Sequence, residues 1–300
     1  MVTKCRVSPP MSIQMLTRRT TQREYLMRPD HLLALNYYFI LGYLQSRFAI
    51  EYHTACILSN HLHLLLTDIL GDQIQGFNRE LFSLMSRSTN CFRGRRENLW
   101  SSDKPSCVCV APTAVDVVDK AAYIIVNAVE AGLVSHAKKW PGVRVLASDM
   151  GRLTLRIKRP PFFYDPDGDL PEEVELTFTV PKVWDADEED LRHQIAEECN
   201  RRERAIRESF SNTGRKFMGA KRILRQSIRS AAVTPEAWFE RIPHVACKDT
   251  SLRVKYLAWR RERQRRYDEK RIELLEGGVE LRFPEGTYAL HFYGAQDRDA

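Results

Sequence analysis

The chain has 300 residues, 43% of them hydrophobic, with a net charge of +7 and a pI near 9.0. That is enough apolar material for one large or two medium domains, and the basic excess favours a polyanionic partner. Seven scattered cysteines with no Cys-x-x-Cys pair argue against a disulfide framework or a zinc site; with no apolar N-terminal run and no stretch near the roughly 18 residues of a membrane span, a soluble, cytoplasmic protein with no membrane partner is predicted.

Pro9-Pro10 make residues 1–11 a loose N-terminus. Residues 12–17 read as a strand that enters a polar run. Within it Arg18, Arg19, Thr20, Gln22 and Arg23 suit phosphate and base contacts, with a solvated strand end as the alternative. Pro29 and Asp30 open a helix running to about Phe48, its apolar Leu33, Tyr37, Ile40, Leu41 and Leu44 recurring at three or four. Residues 51–58 and 61–67 read as strands joined at Ser59-Asn60, both turn formers. Gly71-Asp72 starts a helix over 73–93. A return strand at 107–110 follows, and then a helix over 115–133 capped by Thr113 or Asp116. The order β-α-β-β-α-β-α predicts an α+β fold: a ferredoxin-like antiparallel sheet with helices covering one side.

The composition shifts after Trp140-Pro141-Gly142. Residues 144–184 are strand-like and proline-rich, turning at Asp165-Pro166-Asp167-Gly168. A charged helix over 188–210, an element over 214–230, a short helix from Thr234-Pro235-Glu236, a long helix over 250–276 and a strand-like 279–293 complete the chain. Residues 251–271 hold nine Lys/Arg against three acids, interleaved with Tyr256, Trp259 and Tyr267. Arg260, Arg261 and Arg265 are therefore candidate nucleic-acid contacts; a solvated helix is the alternative. The expected organisation is a flexible 1–11, a catalytic unit over 12–148 and a mixed, helix-rich, DNA-binding accessory region over 149–300.

His61 and His63 share one face of their strand, because residues i and i+2 point the same way. Two imidazoles side by side make half of a divalent-metal site, although such pairs are more often incidental. If the 115–133 helix packs on that face, Asn127 supplies an oxygen ligand. Two His plus an amide oxygen suits Mg²⁺ or Mn²⁺ with open positions. Tyr123, one helical turn before Asn127, is then placed to attack phosphorus. His53, a metal-bound water and bulk solvent remain open as acceptors of its proton. A phosphotyrosine product conserves the energy of the phosphodiester, which suits strand transfer better than hydrolysis. A histidine-nucleophile phosphohydrolase would want a further histidine at the next alternate position, where Leu65 stands.

The segment Ser59-Asn60-His61-Leu62-His63-Leu64-Leu65-Leu66 resembles the His-hydrophobic-His (HUH) motif of single-tyrosine transposases. The stretch from Tyr123-Ile124-Ile125-Val126-Asn127 to Val134, followed by Trp140-Pro141-Gly142, resembles their nucleophile helix. The likeness is greatest to the transposases associated with repetitive extragenic palindromes, and Arg18-Arg19-Thr20-Thr21-Gln22-Arg23 through Asp30 resembles one branch of that family. Covering about residues 12–145, the resemblance implies an HUH endonuclease-type fold. It implies His61, His63 and Asn127 as metal ligands and Tyr123 as nucleophile. It also implies a 5′-phosphotyrosine intermediate on single-stranded or hairpin DNA; the sequence leaves a monomer and a homodimer open. A domesticated, non-catalytic hairpin-binding protein is the alternative. Where the family commonly has Asn-Pro-Val, this chain has Asn127-Ala128-Val129, so the helix is expected to run straighter.

Overall fold

The computed structural model describes residues 9–102, 106–233, 243–278 and 281–284. The expected short helix at 234–236 and most of the strand-like 279–293 lie outside the described residues, as do residues 1–8 of the N-terminus. The chain runs β1 (Ser12–Arg19), α1 (His31–Gln45), β2 (Ile50–Ile57), β3 (His61–Asp68), α2 (Gln73–Arg93), β4 (Ser106–Val110) and α3 (Ala114–Glu130). It continues through β5 (Thr154–Lys158), β6 (Glu173–Thr177), α4 (Glu188–Asn212), α5 (Ala220–Arg225), β7 (Val245–Ala246) and α6 (Thr250–Leu275).

One sheet has the order β2-β3-β1-β4-β7. Its pairings are antiparallel except for the parallel contact of β4 with the two-residue β7. The α+β architecture with a mainly antiparallel sheet is the one expected. Helices, however, cover both faces rather than one. Leu62, Leu64 and Leu66 of β3 point into a core shared with α1 and α2. Leu65, Ile13 and Cys56 point into a second core shared with α3 and α4. Period-2 alternation along β3 therefore places apolar side chains on both sides, as a strand covered twice requires.

Residues beyond 149 contribute to both cores. The β5–β6 hairpin lies on α1, where Gly42 leaves room for Val174: a Cβ at Gly42 would stand 2.8 Å from its Cγ2. Its turn forms as the sequence predicts, with the Asp167 N–H donating to Asp165 Oδ1. Along the opposite core α4 packs against α3 through Leu191, Ile195 and Cys199. Arg202 of α4 bridges Asp119 of α3 and its own Glu198, each at 2.7 Å. The outer edge of β2 is covered by residues 143–145: Ile57 N–H donates to the Val143 carbonyl and Val145 N–H to that of Ala55. Covering an edge this way removes a row of unpaired backbone groups.

Both ends of α3 are fixed by their sequence. Thr113 Oγ1 accepts from the Asp116 N–H, and Asp185 Oδ1 takes the Ala114 N–H. At the other end Gly132 adopts a φ of +69° and Leu133 N–H donates to the Ala128 carbonyl, the six-to-one bond of a Schellman stop. Between these ends the helix runs unbroken through Ala128. Trp140, 1% exposed, donates its Nε1–H to the Ile57 carbonyl at 3.0 Å and pins the following loop beneath the sheet edge.

Candidate active site

Strand alternation sets the site. In the β1–β3 register Thr17 lies opposite His63, Arg18 opposite Leu62 and Arg19 opposite His61. Both histidines face α3, and their ring centroids are 4.9 Å apart. Tyr123 of α3 meets the His63 ring edge-to-face, with centroids 5.3 Å apart. Asn127, one turn on, places Oδ1 3.0 Å from His61 Nε2. His61, His63, Tyr123 and Asn127 thus come together within a single chain.

Each imidazole has a partner on its other nitrogen. His61 Nδ1 lies 2.8 Å from Asn60 Oδ1, and His63 Nδ1 lies 2.8 Å from Thr17 Oγ1. Neither Asn60 nor Thr17 stood out as a site residue in the sequence. The β1–β3 register is what brings Thr17 there, and no local signal in β1 announces it. Burial depresses both histidine pKa values, most strongly at His63, which also feels His61. Both rings are therefore neutral at pH 7 and keep a lone pair for a ligand. His61 Nε2 and Asn127 Oδ1 lie within hydrogen-bond distance, and with the imidazole hydrogen on Nδ1 both would offer lone pairs to a cation. The donor set fits Mg²⁺ or Mn²⁺.

Cys56, opposite His63 on β2, is not a competing thiolate. Burial pushes it up to about 12. Tyr123 is half-buried, and burial first, then the Glu130 carboxylate, raises its pKa. The phenol is protonated at neutral pH and must lose its proton in any attack. His53 is not placed to take it. Fully buried beside the β-bulge of β2, it meets Thr67 Oγ1 through Nε2 (2.7 Å) and Thr179 through Nδ1 (3.0 Å to Oγ1).

The polar run ahead of α1 divides. Arg19 shares the histidine face. Arg18 points to the other side, where its guanidinium lies over the Phe82 and Trp100 rings at 4.9 and 5.6 Å. Thr20 is 0% exposed, and its hydroxyl donates to the Glu24 and Asn60 carbonyls. Gln22 is exposed, and the Arg23 charge is felt at His61. Arg260, Arg261 and Arg265 stand on α6, which docks on β7 through Leu252, Tyr256 and Leu257. Arg265 pairs with Glu262 and Glu269.

No family model matches the chain. No curated protein matches it either. Among solved structures, the chain is similar to a REP-associated tyrosine transposase bound to a REP hairpin, at 19% identity and a TM-score of 0.41 over 51% of this chain and 87% of that one. No helix among the described residues is long and apolar enough to cross a membrane.

Proposed function

We propose that the chain is a metal-dependent DNA strand transferase of the single-tyrosine, HUH type, acting on single-stranded or hairpin DNA. The observation that carries this reading is the meeting of Tyr123 and Asn127 on α3 with His61 and His63 on β3. Neutral His61 and His63, with the Asn127 amide oxygen, would hold Mg²⁺ or Mn²⁺, which when bound supplies a Lewis acid that withdraws charge from a phosphodiester oxygen.

The chain's own part is nucleophile and placement. Tyr123 Oη forms a bond to phosphorus as the bond from phosphorus to the 3′ oxygen breaks. The phenolic proton leaves, and the departing 3′ oxygen takes one up, so protons balance. The product is a 5′-phosphotyrosine and a free 3′-OH, and a DNA hydroxyl reverses the step. Arg19 and Arg23 flank the histidines and offer cationic contacts for the strand. Residues 149–300 act as the accessory region, with Arg260 and Arg261 on its solvated helix. The active form is a monomer or homodimer.

The test incubates hairpin oligonucleotides, taken from DNA flanking the protein's own gene, with the protein in Mg²⁺, Mn²⁺ or EDTA. A denaturing gel should show a metal-dependent protein–DNA adduct that Tyr123→Phe abolishes. Tight hairpin binding with no adduct under either metal would instead make the chain a non-catalytic binding module.

A further inference from the structure

We propose that Asn60 is a positioning residue that fixes the tautomer of His61, and that the Thr20–Arg23 loop holds Asn60 in that role. The inference rests on the metal-centre reading above. Asn60 occupies the tip between β2 and β3, and its groups are engaged one by one. Its backbone carbonyl accepts from the Thr20 N–H at 2.8 Å and from Thr20 Oγ1 at 3.1 Å. Its Nδ2 donates to the Arg23 carbonyl at 3.4 Å. A carbonyl can only accept, so this contact decides which way the amide is turned. Oδ1 is thereby left facing His61 Nδ1 at 2.8 Å.

The rest follows from proton counting. An amide oxygen can only accept, and each His61 nitrogen faces one; Asn60 Oδ1 is the nearer and its amide is turned by the Arg23 carbonyl, so the hydrogen is assigned to Nδ1. A neutral imidazole carries one such hydrogen. The lone pair therefore falls on Nε2, the nitrogen 3.0 Å from Asn127 Oδ1. His63 differs in kind: its Nδ1 partner is the Thr17 hydroxyl, which can donate or accept and so dictates neither tautomer.

The loop is shaped for this contact. Gln22 and Arg23 have φ values of +49° and +59°, a region that residues with a Cβ seldom enter. Nothing in the glycine-free run Thr20-Thr21-Gln22-Arg23 favours that backbone by itself. Surrounding bonds impose it. Thr21 N–H donates to the Leu99 carbonyl at 2.8 Å, and Thr20 Oγ1 to the Glu24 carbonyl at 2.7 Å. Residues 226–231 grip the next stretch, with Tyr25 N–H on the Ser230 carbonyl at 2.9 Å and Arg28 Nη1 on that of Gln226 at 2.8 Å. Backbone strain held in place beside a site is a sign that the surroundings over-determine it. Thr20 is thus a structural member of this clamp, and its buried hydroxyl has no share in nucleic-acid contact.

The test uses the full chain, first without metal. Long-range ¹H–¹⁵N NMR of the histidine rings should show His61 protonated at Nδ1 in the wild type and in Asn60→Asp. In Asn60→Leu, with an unchanged circular-dichroism spectrum, the hydrogen should move to Nε2. Titration with Mn²⁺, read by calorimetry and by electron spin resonance, should then show affinity about 10- to 100-fold weaker in Asn60→Leu and retained in Asn60→Asp. A wild-type His61 protonated at Nε2 overturns the proposal. So does a folded Asn60→Leu that binds Mn²⁺ as tightly as the wild type. A wild type with Nδ1–H at His61 but no Mn²⁺ binding supports the tautomer assignment and overturns the metal reading alone.

Discussion

His61 and His63 stand on a strand buried from both sides, whereas the arginines of α6 stand on a helix with no buried residue. At β3 each imidazole has fixed neighbours: Asn60 and Thr17 behind, Tyr123 and Asn127 in front. Along α6 the charges answer mainly to one another, Arg265 and Arg266 to Glu262, and Lys270 to Glu273. Burial gives the first region neutral rings and a set geometry. The second keeps its charge in water, where pairing is weak and salt-sensitive. Reaction chemistry needs the first kind of surface, and general attraction to a polyanion needs no more than the second.

Substitutions should separate the two. His63→Ala should cut metal-dependent strand cleavage on the order of a thousandfold, because a Lewis acid contributes several kcal/mol and each 1.36 kcal/mol is tenfold. Hairpin binding, read by fluorescence anisotropy, should change little. An unchanged cleavage rate would remove His63 from the chemistry.

A second prediction concerns the frame beneath the site. Arg93, its side chain 5% exposed, binds the Asp30 carboxylate and the Leu26 and Arg28 carbonyls. Arg93→Met leaves the Asp30 carboxylate to Arg28 alone and takes this donor from the Leu26 carbonyl, and should cost about 1 to 3 kcal/mol in urea unfolding. A loss no greater than that of an exposed arginine would show that the buried region owes nothing to this network.

Stability should also depend on pH through His53. Burial lowers its pKa to about 4 from an ordinary 6.5. Between those values the unfolded chain binds a proton that the folded chain refuses. Stability is therefore lost as pH falls from 6.5 towards 4, by about 3 kcal/mol. His53→Gln should remove that share of the slope, while His61 and His63 keep theirs. Equal slopes in the two proteins would place His53 in contact with water.

The smallest effects belong to α6. Arg260→Ala and Arg261→Ala should each lower the salt slope of single-stranded DNA binding by about 0.7. Arg265→Ala should lower it less, since Glu262 and Glu269 already occupy that guanidinium. A larger effect from Arg265 than from its neighbours would mean that DNA displaces both acids.

These contrasts also explain what the sequence could say. The alternation of β3 and the spacing of Tyr123 from Asn127 are local patterns, and they assemble as local patterns predict. Arg18 and Arg19 are adjacent in a strand, so their opposite faces were implicit in the same period-2 rule that paired the histidines. The left-handed backbone of Gln22 and Arg23 had no signal, because it is imposed by Leu99 and Asn60 from elsewhere in the chain. The second helical layer was hidden for a similar reason. Only after folding do α3 and α4 meet, through residues such as Asp119 and Arg202 that lie far apart in sequence.

The central claim is that Tyr123 becomes joined to DNA. Protein incubated with hairpin DNA and Mn²⁺ should be digested with nuclease and protease, and its peptides sequenced by tandem mass spectrometry. The expected product is a nucleotide attached through its 5′ phosphate to Tyr123. A nucleotide on any other side chain, or cleaved DNA with no modified peptide, would contradict it.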